Sequence, residues 1–169
     1  MELRDILTKD GAHTGKVIEN SAPLGAGEYL YHVHIIMKDQ NGRYVMQQRA
    51  LHAKYFPGKW DVTGGGVMHG ETGAEAAARE AREELGIAFD PARAIHIGRQ
   101  VEDWDGGMNG LITDVYAVRV DAEMSRFALS RREVAAVRLV PFEEFIETVT
   151  YNKTNEYRGF LEKVERMLP

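Results

Sequence analysis

Three glutamates in the middle of the chain are spaced so that, on a helix, their side chains could bind one metal ion together. At about 100° per residue of an α-helix, Glu80, Glu83 and Glu84 occupy one arc of about 100°, and Arg79 borders it. Carboxylates at these spacings repel one another. Oxygen ligands of this type are the ones that hard divalent cations such as Mg²⁺ prefer. The pattern indicates either a metal-binding face or the solvated acidic face of a surface helix.

A helix from Thr72 to Leu85 is predicted to present these carboxylates. Thr72 and Glu75 have the spacing of a capping box at its start, and Gly86 stands where a left-handed residue commonly ends a helix. The face opposite the glutamates consists of small and apolar residues that would let the helix lie close to a sheet: Ala74, Ala77, Ala78, Ala81 and Leu85.

A run of three glycines, Gly64–Gly66, precedes this helix. Glycine allows a backbone to approach an ion or a phosphate closely, and a carbonyl here would be one more oxygen ligand. The alternative is a plain tight turn. A glycine run that leads into a capped, carboxylate-bearing helix favours the functional interpretation.

Together these residues resemble the Nudix box, a pattern of glycine, glutamates and arginine at fixed spacing. Ala81 is small for the apolar position that it fills, and every fixed position is occupied. The matching residues are Gly65, Glu71, Arg79, Glu80, Ala81, Glu83, Glu84, Leu85, Gly86 and Ile87.

The resemblance implies an enzyme that cleaves a nucleoside diphosphate linked to another group, or a related diphosphate, with Mg²⁺ or Mn²⁺. It implies Glu83 and Glu84 as the main metal ligands, and Glu80 as a further ligand or as the base for water. The carbonyl of Gly64 would complete the ligand shell. Since metal ions neutralise diphosphate charge and make bound water more acidic, no covalent nucleophile is needed.

The resemblance also assigns a structural role to two charged residues of the box. Glu71 and Arg79 are expected to form an ion pair that orients the glycine loop against the helix. Because Arg79 orients this helix, it is included among the candidate catalytic residues with Glu80 and Glu83.

The segment Pro57–Thr63 and the extended N-terminus resemble the isopentenyl-diphosphate isomerase branch of the same superfamily. That branch requires a catalytic cysteine near this loop, and the chain contains no cysteine. Hydrolysis is therefore preferred. An isomerase-like enzyme and a non-catalytic ligand-sensing domain are the alternatives.

Glu133 lies outside the box, after two arginines and before a predicted strand. It is either an extra acidic ligand or base on a downstream loop, or an exposed surface glutamate. Glu102 and Asp103 are weaker rivals for the same role.

Two residues are candidates for contact with substrate. Arg49 could meet a phosphate or lie on a solvated edge, and His69 lies in the loop between the glycines and the helix. His32 and His34 alternate along one strand, where they line a cleft or are partly buried in the sheet.

The remaining patterns predict an α/β (α+β) protein, a Nudix-type αβα sandwich with a mixed sheet. Residues 1–169 are interpreted as one domain, on which an N-terminal extension (1–28) packs. The predicted strands are Glu2–Ile6, Gly15–Ile18, Tyr29–Met37, Tyr44–Arg49, Ile95–Glu102, Leu111–Val120 and Glu133–Val140. Two helices are predicted after them, from Pro141 to Val149 and through Tyr157, Phe160, Leu161, Val164 and Leu168.

Charge and composition narrow the partners. The net charge is −5, with 21 basic and 26 acidic residues, which disfavours binding to a nucleic-acid polymer. No stretch is apolar for the roughly 20 residues of a membrane span. A cytoplasmic enzyme that acts on a small diphosphate is expected, and a homodimer is compatible with the sequence.

Overall fold

The structure is a computed structural model that describes residues 2–151 and 153–168. Its strands are β1 Leu3–Leu7, β2 His13–Glu19, β3 Tyr29–Lys38, β4 Tyr44–Arg49, β5 Trp60–Asp61, β6 Thr63–Gly66, β7 Ile95–Trp104, β8 Asn109–Arg119 and β9 Val134–Val140. Its α-helices are α1 Gly73–Leu85, α2 Phe142–Val149 and α3 Asn155–Met167. Each strand and helix predicted from the sequence is present, with ends that differ by a few residues.

Strand β3 is the centre of the sheet. It runs parallel to β8 along its whole length, from Tyr29 opposite Gly110 to Lys38 opposite Arg119. On its other side β6 is antiparallel, and β7 pairs with the outer edge of β8. The sheet is therefore mixed, as predicted. The glycine strand β6 lies directly beside this central strand.

Strands β3 and β4 form the predicted hairpin, but they separate after its turn. The Asp39 amide donates to the carbonyl of Arg43, and the Arg43 amide donates to the Asp39 carboxylate, each at 2.7 Å. Gly42 in this turn has a φ of 77°, which glycine adopts without strain. Only Lys38 and Tyr44 are then paired. The main partner of β4 is β9, with β5 on the other side. The group of strands β4, β5 and β9 places Gln47 and Arg49 near the C-terminal end of helix α1.

Helices cover both faces of the sheet. The core under α1 contains Val33, Ile35 and Leu85, and the core under α2 and α3 contains Tyr44, Phe145 and Leu161. All of these side chains are fully buried. The αβα sandwich predicted from the sequence is confirmed.

The buried face of α1 differs from the predicted one. Ala76, rather than Ala74 or Ala78, lies beside the buried Ala77. Glu84 is buried as well, with only 8% of its surface exposed. The helix is rotated so that its carboxylate arc meets the edge of the sheet instead of facing open water.

The first two strands form an antiparallel hairpin that touches β3 where Leu7 meets Tyr29. Arg4 of this hairpin donates from Nη1 to the carbonyl of Val67, 3.2 Å away, so the N-terminal segment reaches the loop after β6. No helix in the described residues is long and apolar enough to cross a membrane.

An ion pair between Asp114 of β8 and Arg99 of β7 connects these two neighbouring strands. The carboxylate of Asp114, 3% exposed, accepts from Arg99 at 2.7 and 2.8 Å and from the Tyr31 hydroxyl at 2.7 Å. Burial alone would raise the pKa of Asp114, but the hydrogen bonds from Arg99, Tyr31 and His96 outweigh it and lower the pKa.

We therefore predict that Asp114→Asn costs about 2 kcal/mol of unfolding free energy at pH 7, because the charged hydrogen bonds are lost. The folded pKa lies below the unfolded value, so this contribution is present above about pH 4 and disappears as the pH falls through the folded pKa. Urea denaturation at pH 7 and pH 3 measures both. Asp121→Asn, at an exposed pair with Arg126, is the control. A loss that does not shrink at pH 3 would contradict the assignment.

Candidate active site

The helix that carries the glutamates is held at both ends as predicted. The Thr72 side chain accepts from the amide of Glu75, and the Glu75 side chain accepts from the amide of Thr72. At the other end Gly86 has a φ of 75° and closes the last turn. The small buried residues Ala76, Ala77 and Ala81 let this helix approach the sheet closely.

Arg79 connects the glycine strand to the helix. Its guanidinium donates to Glu71 at 2.7 and 3.0 Å, to the carbonyl of Gly66 at 2.8 Å and to Glu80 at 2.7 Å. A longer bond of 3.3 Å reaches Glu83. The ion pair with Glu71 that the family resemblance implies is present, and the same arginine also fixes the end of the glycine run.

Glu71 is held as a charged group at the start of this arrangement. Burial alone would raise the pKa of Glu71, but hydrogen bonds from Arg79 and from the amide of Met68 outweigh it and lower the pKa. The amide of Met68 lies 2.9 Å from the carboxylate. Glu71 thus connects the loop between β6 and α1, through Met68, to helix α1, through Arg79.

Glu84 is a buried carboxylate with one neutral partner. Its Oε2 accepts from Nε2 of Gln47 at 2.8 Å, and the hydroxyl of Thr63 donates to Oε1 of Gln47 at 3.2 Å. Burial, reinforced by the nearby charges of Glu80 and Glu133, raises the pKa of Glu84 to about 8. This residue is unfavourable as a carboxylate unless a positive charge is brought to it.

Glu80 lies against the glycine strand. A Cβ added at Gly65 would collide with the carboxylate of Glu80, so only glycine allows this approach. Burial raises the pKa of Glu80, and the charges of Glu83 and Glu133 add to the effect, although Arg79 opposes it. Glu83 is the open member of the group, with a side chain 49% exposed.

The connection between β8 and β9 brings Glu133 to the same place. The amides of Ala128 and Ser130 donate to the carbonyls of Leu85 and Glu84, each at 2.9 Å. The carbonyl of Glu133 in turn accepts from the amide of Ala50 at 2.9 Å. The connection is therefore attached to the end of α1 and to the loop after β4.

These groups surround one cavity of about 400 Å³. Its walls carry both signs of charge, with glutamates on one side and arginines around them. The charged lining residues are Glu2, Arg4, Arg49, Arg79, Glu80, Glu83, Glu84, Arg132 and Glu133. The backbone of Gly64, Gly65 and Gly66 forms part of the wall.

A larger depression of about 930 Å³ lies between the β1–β2 turn and Gly107–Met108. It is open to solvent, and among the described residues that line it Lys9 and Asp10 are the charged ones. The smaller cavity is the candidate active site because the titratable residues with raised pKa values converge there.

The predicted residues fall into two groups. The cavity brings together Gly64, Arg79, Glu80, Glu83, Glu84, Arg49 and Glu133. His69 does not line it: its imidazole lies 2.8 Å from Asp5 on the N-terminal hairpin.

The rivals of Glu133 also lie elsewhere, since Glu102 bonds to Trp104 and Asp103 to Lys9 and Tyr29. The two histidines of β3 have different surroundings. His32 lines the cavity, whereas His34 is bonded to the hydroxyl of Tyr157 at 2.9 Å.

Sequence reasoning missed Arg4, Asn20, Arg132 and Gln47. Arg132 was noted only as a neighbour of Glu133, and Gln47 shares a strand face with Arg49, so a search for polar residues one or two positions from candidates would have found both. Arg4 and Asn20 come from the N-terminal hairpin. No local pattern in the sequence indicates that this hairpin reaches the site.

The donor set fits a hard divalent cation. Every candidate ligand is an oxygen, and burial raises the pKa values of Glu80 and Glu84, so a positive charge brought to this place would stabilise both carboxylates. Within residues 2–151 and 153–168, however, no three His, Cys, Asp or Glu side chains converge closely enough to hold a metal ion. The Glu80 carboxylate is hydrogen-bonded to Arg79 instead, so the Glu80 side chain would have to rotate away from Arg79 to bind a metal ion.

Comparison with known proteins agrees with this geometry. The sequence model of the NUDIX domain matches residues 28–164. An uncharacterised Nudix hydrolase of Listeria monocytogenes is 31% identical over 147 residues, which are 85% of this chain and 82% of that protein. Nudix hydrolase 3 of Arabidopsis thaliana is 31% identical over 94% of this chain, which spans only 20% of that longer protein.

A crystal structure from Deinococcus radiodurans has the same fold, with a TM-score of 0.70 at 20% identity over 96% of this chain and 99% of that one. The family acts on small substrates in which a nucleoside diphosphate is linked to another group, and its members generally use divalent metals. The chain belongs to the Nudix hydrolase family, as a pyrophosphohydrolase.

Proposed function

We propose that this protein hydrolyses the diphosphate linkage of a small nucleoside-diphosphate-linked substrate in the cavity beside α1, with Mg²⁺ or Mn²⁺ as cofactor. The observation that carries the proposal is the convergence of Glu80, Glu83, Glu84 and Glu133 with arginines in one cavity. Carboxylates alone would repel a diphosphate, and arginines alone would only bind it. The combination suits cleavage.

Arginine side chains would bind the phosphates of the substrate. Arg49 and Arg132 line the cavity on the side of β4 and the β8–β9 connection, and Arg4 lines it from the N-terminal hairpin. A guanidinium can donate two parallel hydrogen bonds to phosphate oxygens, which orients the group as well as binding it.

Glu80, Glu83, Glu84 and the carbonyl of Gly64 would hold the cation. When bound, a divalent cation neutralises diphosphate charge and makes water more acidic. Glu84 is pre-positioned for this role by Gln47, which holds one of its oxygens at 2.8 Å.

Glu133 is proposed as the base. It is exposed, lies near enough to raise the pKa values of Glu80 and Glu84, and has a side chain without a hydrogen bond in the described part of the chain. Its carboxylate would accept the proton of the water whose oxygen attacks phosphorus. The bridging P–O bond then breaks, and the departing phosphate keeps its electron pair.

The two alternatives are less well supported. An isomerase of the related branch needs a cysteine, and there is none. A ligand-sensing domain would need none of the box carboxylates, yet all of them are present, and Glu80, Glu83 and Glu84 line the cavity. The products separate the three functions, because hydrolysis yields monophosphates, isomerisation a rearranged diphosphate, and sensing neither.

We predict strict metal dependence. A panel of nucleoside-diphosphate-linked compounds is incubated with the protein in a chelator and then with Mg²⁺ or Mn²⁺, and the products are separated by chromatography. Monophosphates should appear only with metal, because the uncompensated carboxylates otherwise repel the substrate. Full turnover in the chelator, or a rearranged diphosphate as product, would contradict the proposal.

Glu84→Gln should separate activity from stability. Because an amide keeps the shape and can still accept from Gln47, kcat should fall by about 100-fold or more while the melting temperature of the metal-free protein rises by a few degrees. The gain arises because an amide avoids the cost of protonating or burying this carboxylate beside Glu80 and Glu133 when the chain folds. Glu162→Gln, on the exposed surface of α3, is the control for both measurements. Unchanged kcat at saturating Mg²⁺ would remove Glu84 from the ligands.

Glu133→Gln tests the base. We expect kcat to fall by about 100-fold, with KM and the melting temperature little changed, because an exposed carboxylate contributes little to the core. Glu123→Gln, in the same connection between β8 and β9, is the matched control. If both variants retain wild-type kcat, the proton acceptor lies elsewhere in the cavity.

A further inference from the structure

A second space lies beside the candidate catalytic cavity. A side chamber of about 190 Å³ shares four lining residues with it, Arg4, Asn20, His32 and Gly66. The two spaces are therefore adjacent. Arg49 and Glu133 line the cavity but not the chamber.

The rest of the chamber wall is formed by two leucines and by Tyr31, which also packs against the core. Leu30 and Leu111 are direct partners across the parallel strands β3 and β8, and both remain half-buried. Tyr31 completes this wall. Neither leucine belongs to the buried core under α1 or to the one under α2 and α3. Two adjacent leucines offer a flat face to a ring, and covering them gains about 25 cal/mol per Å².

Polar groups stand at the edge of this apolar face. Asn20 donates its amide nitrogen to Glu2 at 3.1 Å, which leaves its side-chain oxygen as an acceptor. Nδ1 of His32 is buried and has no hydrogen-bond partner among the described residues. An unpaired buried polar atom costs about 1–3 kcal/mol, so a small shift that gave this nitrogen a partner in a ligand would be favourable.

The junction between the two spaces is positively charged. The Arg4 guanidinium passes directly over Gly66, where a Cβ would collide with it, and its side chain is only 12% exposed. A ligand that extends from the cavity into the chamber must pass this cation. The order of surfaces is thus carboxylates, arginine, and then an apolar face with a polar edge.

We propose that the side chamber takes the base of the nucleoside while the diphosphate lies in the catalytic cavity, so that the N-terminal hairpin determines substrate specificity. A base has the two features that these walls match, a flat apolar face and a hydrogen-bonding edge. Arg4 and Asn20 precede residue 28, where the match to the NUDIX domain begins. The inference rests on the proposed function for the position of the diphosphate.

A different place for a base is the loop after β4. Tyr55 and Phe56 there are 61% and 49% exposed, but neither lines the cavity or the chamber. This loop supplies a rival variant for the test.

The test measures binding without turnover. AMP, GMP, CMP, UMP and inorganic phosphate are titrated calorimetrically into the full chain in Mg²⁺. At least one nucleotide should bind the wild type 10-fold or more tightly than phosphate. Leu111→Trp, which fills the chamber, should abolish this preference, and Val101→Trp, on the exposed side of the neighbouring strand β7, should retain it.

Two further variants keep the result interpretable if Leu111→Trp is poorly folded. Asn20→Ala, at an exposed position, should weaken the preferred nucleotide by 5-fold or more without affecting phosphate, and Tyr55→Ala should change neither. The proposal is overturned if no nucleotide exceeds phosphate, if the chamber variants retain the preference, or if Tyr55→Ala abolishes it.

Hydrolysis by the same variants distinguishes this inference from the proposed function. Metal-dependent turnover with no nucleotide preference would contradict the proposal that the chamber binds the base, and would leave the proposed hydrolase function intact. A nucleotide preference that depends on Leu111 and Asn20, without any turnover, would overturn the hydrolase and leave the chamber supported.

Discussion

The position of Arg79 is the constraint on which the rest of the site depends. Its guanidinium holds a loop carboxylate, a backbone carbonyl of the glycine strand and a helix carboxylate at once. These bonds fix the position of helix α1 relative to strand β6. The helix can lie this close only because alanines face the sheet and glycine faces Glu80. One cation thus sets the distance between the two elements that carry the proposed ligands.

The same closeness creates electrostatic frustration. Glu84 is buried beside two other glutamates with only a neutral amide in contact, although lysine and arginine are common elsewhere in the chain. A sequence selected for stability alone would place an amide or an apolar residue there. Keeping an ionisable carboxyl group here costs folding stability, and the proposed binding of a cation would account for its presence.

The sequence predicted the helix, its caps, the strands and the box residues because those features depend on short spacings. It predicted the buried face of α1 in part: Ala77, Ala81 and Leu85 are buried, but Ala76 and Glu84 are buried as well. An arc of alanines does not reveal how a carboxylate such as Glu84 is accommodated by Gln47. The location of His69 and the arrival of Arg4 at the cavity depend on how the N-terminal hairpin packs. Such contacts between distant segments leave no periodic trace in the sequence.

The parallel pairing of β3 with β8 has a consequence for how the protein folds. The two strands are distant in the chain, and the glycine strand, α1 and β7 all lie between them. Closing so long a loop costs entropy before any contact repays it, so proteins with this topology fold slowly. The carboxylate helix is therefore expected to reach its final position late, after the strands on both sides of it have been synthesised and paired. Since the described residues that line the cavity run from Glu2 to Glu133, a fragment that ends before Glu133 lacks part of the site.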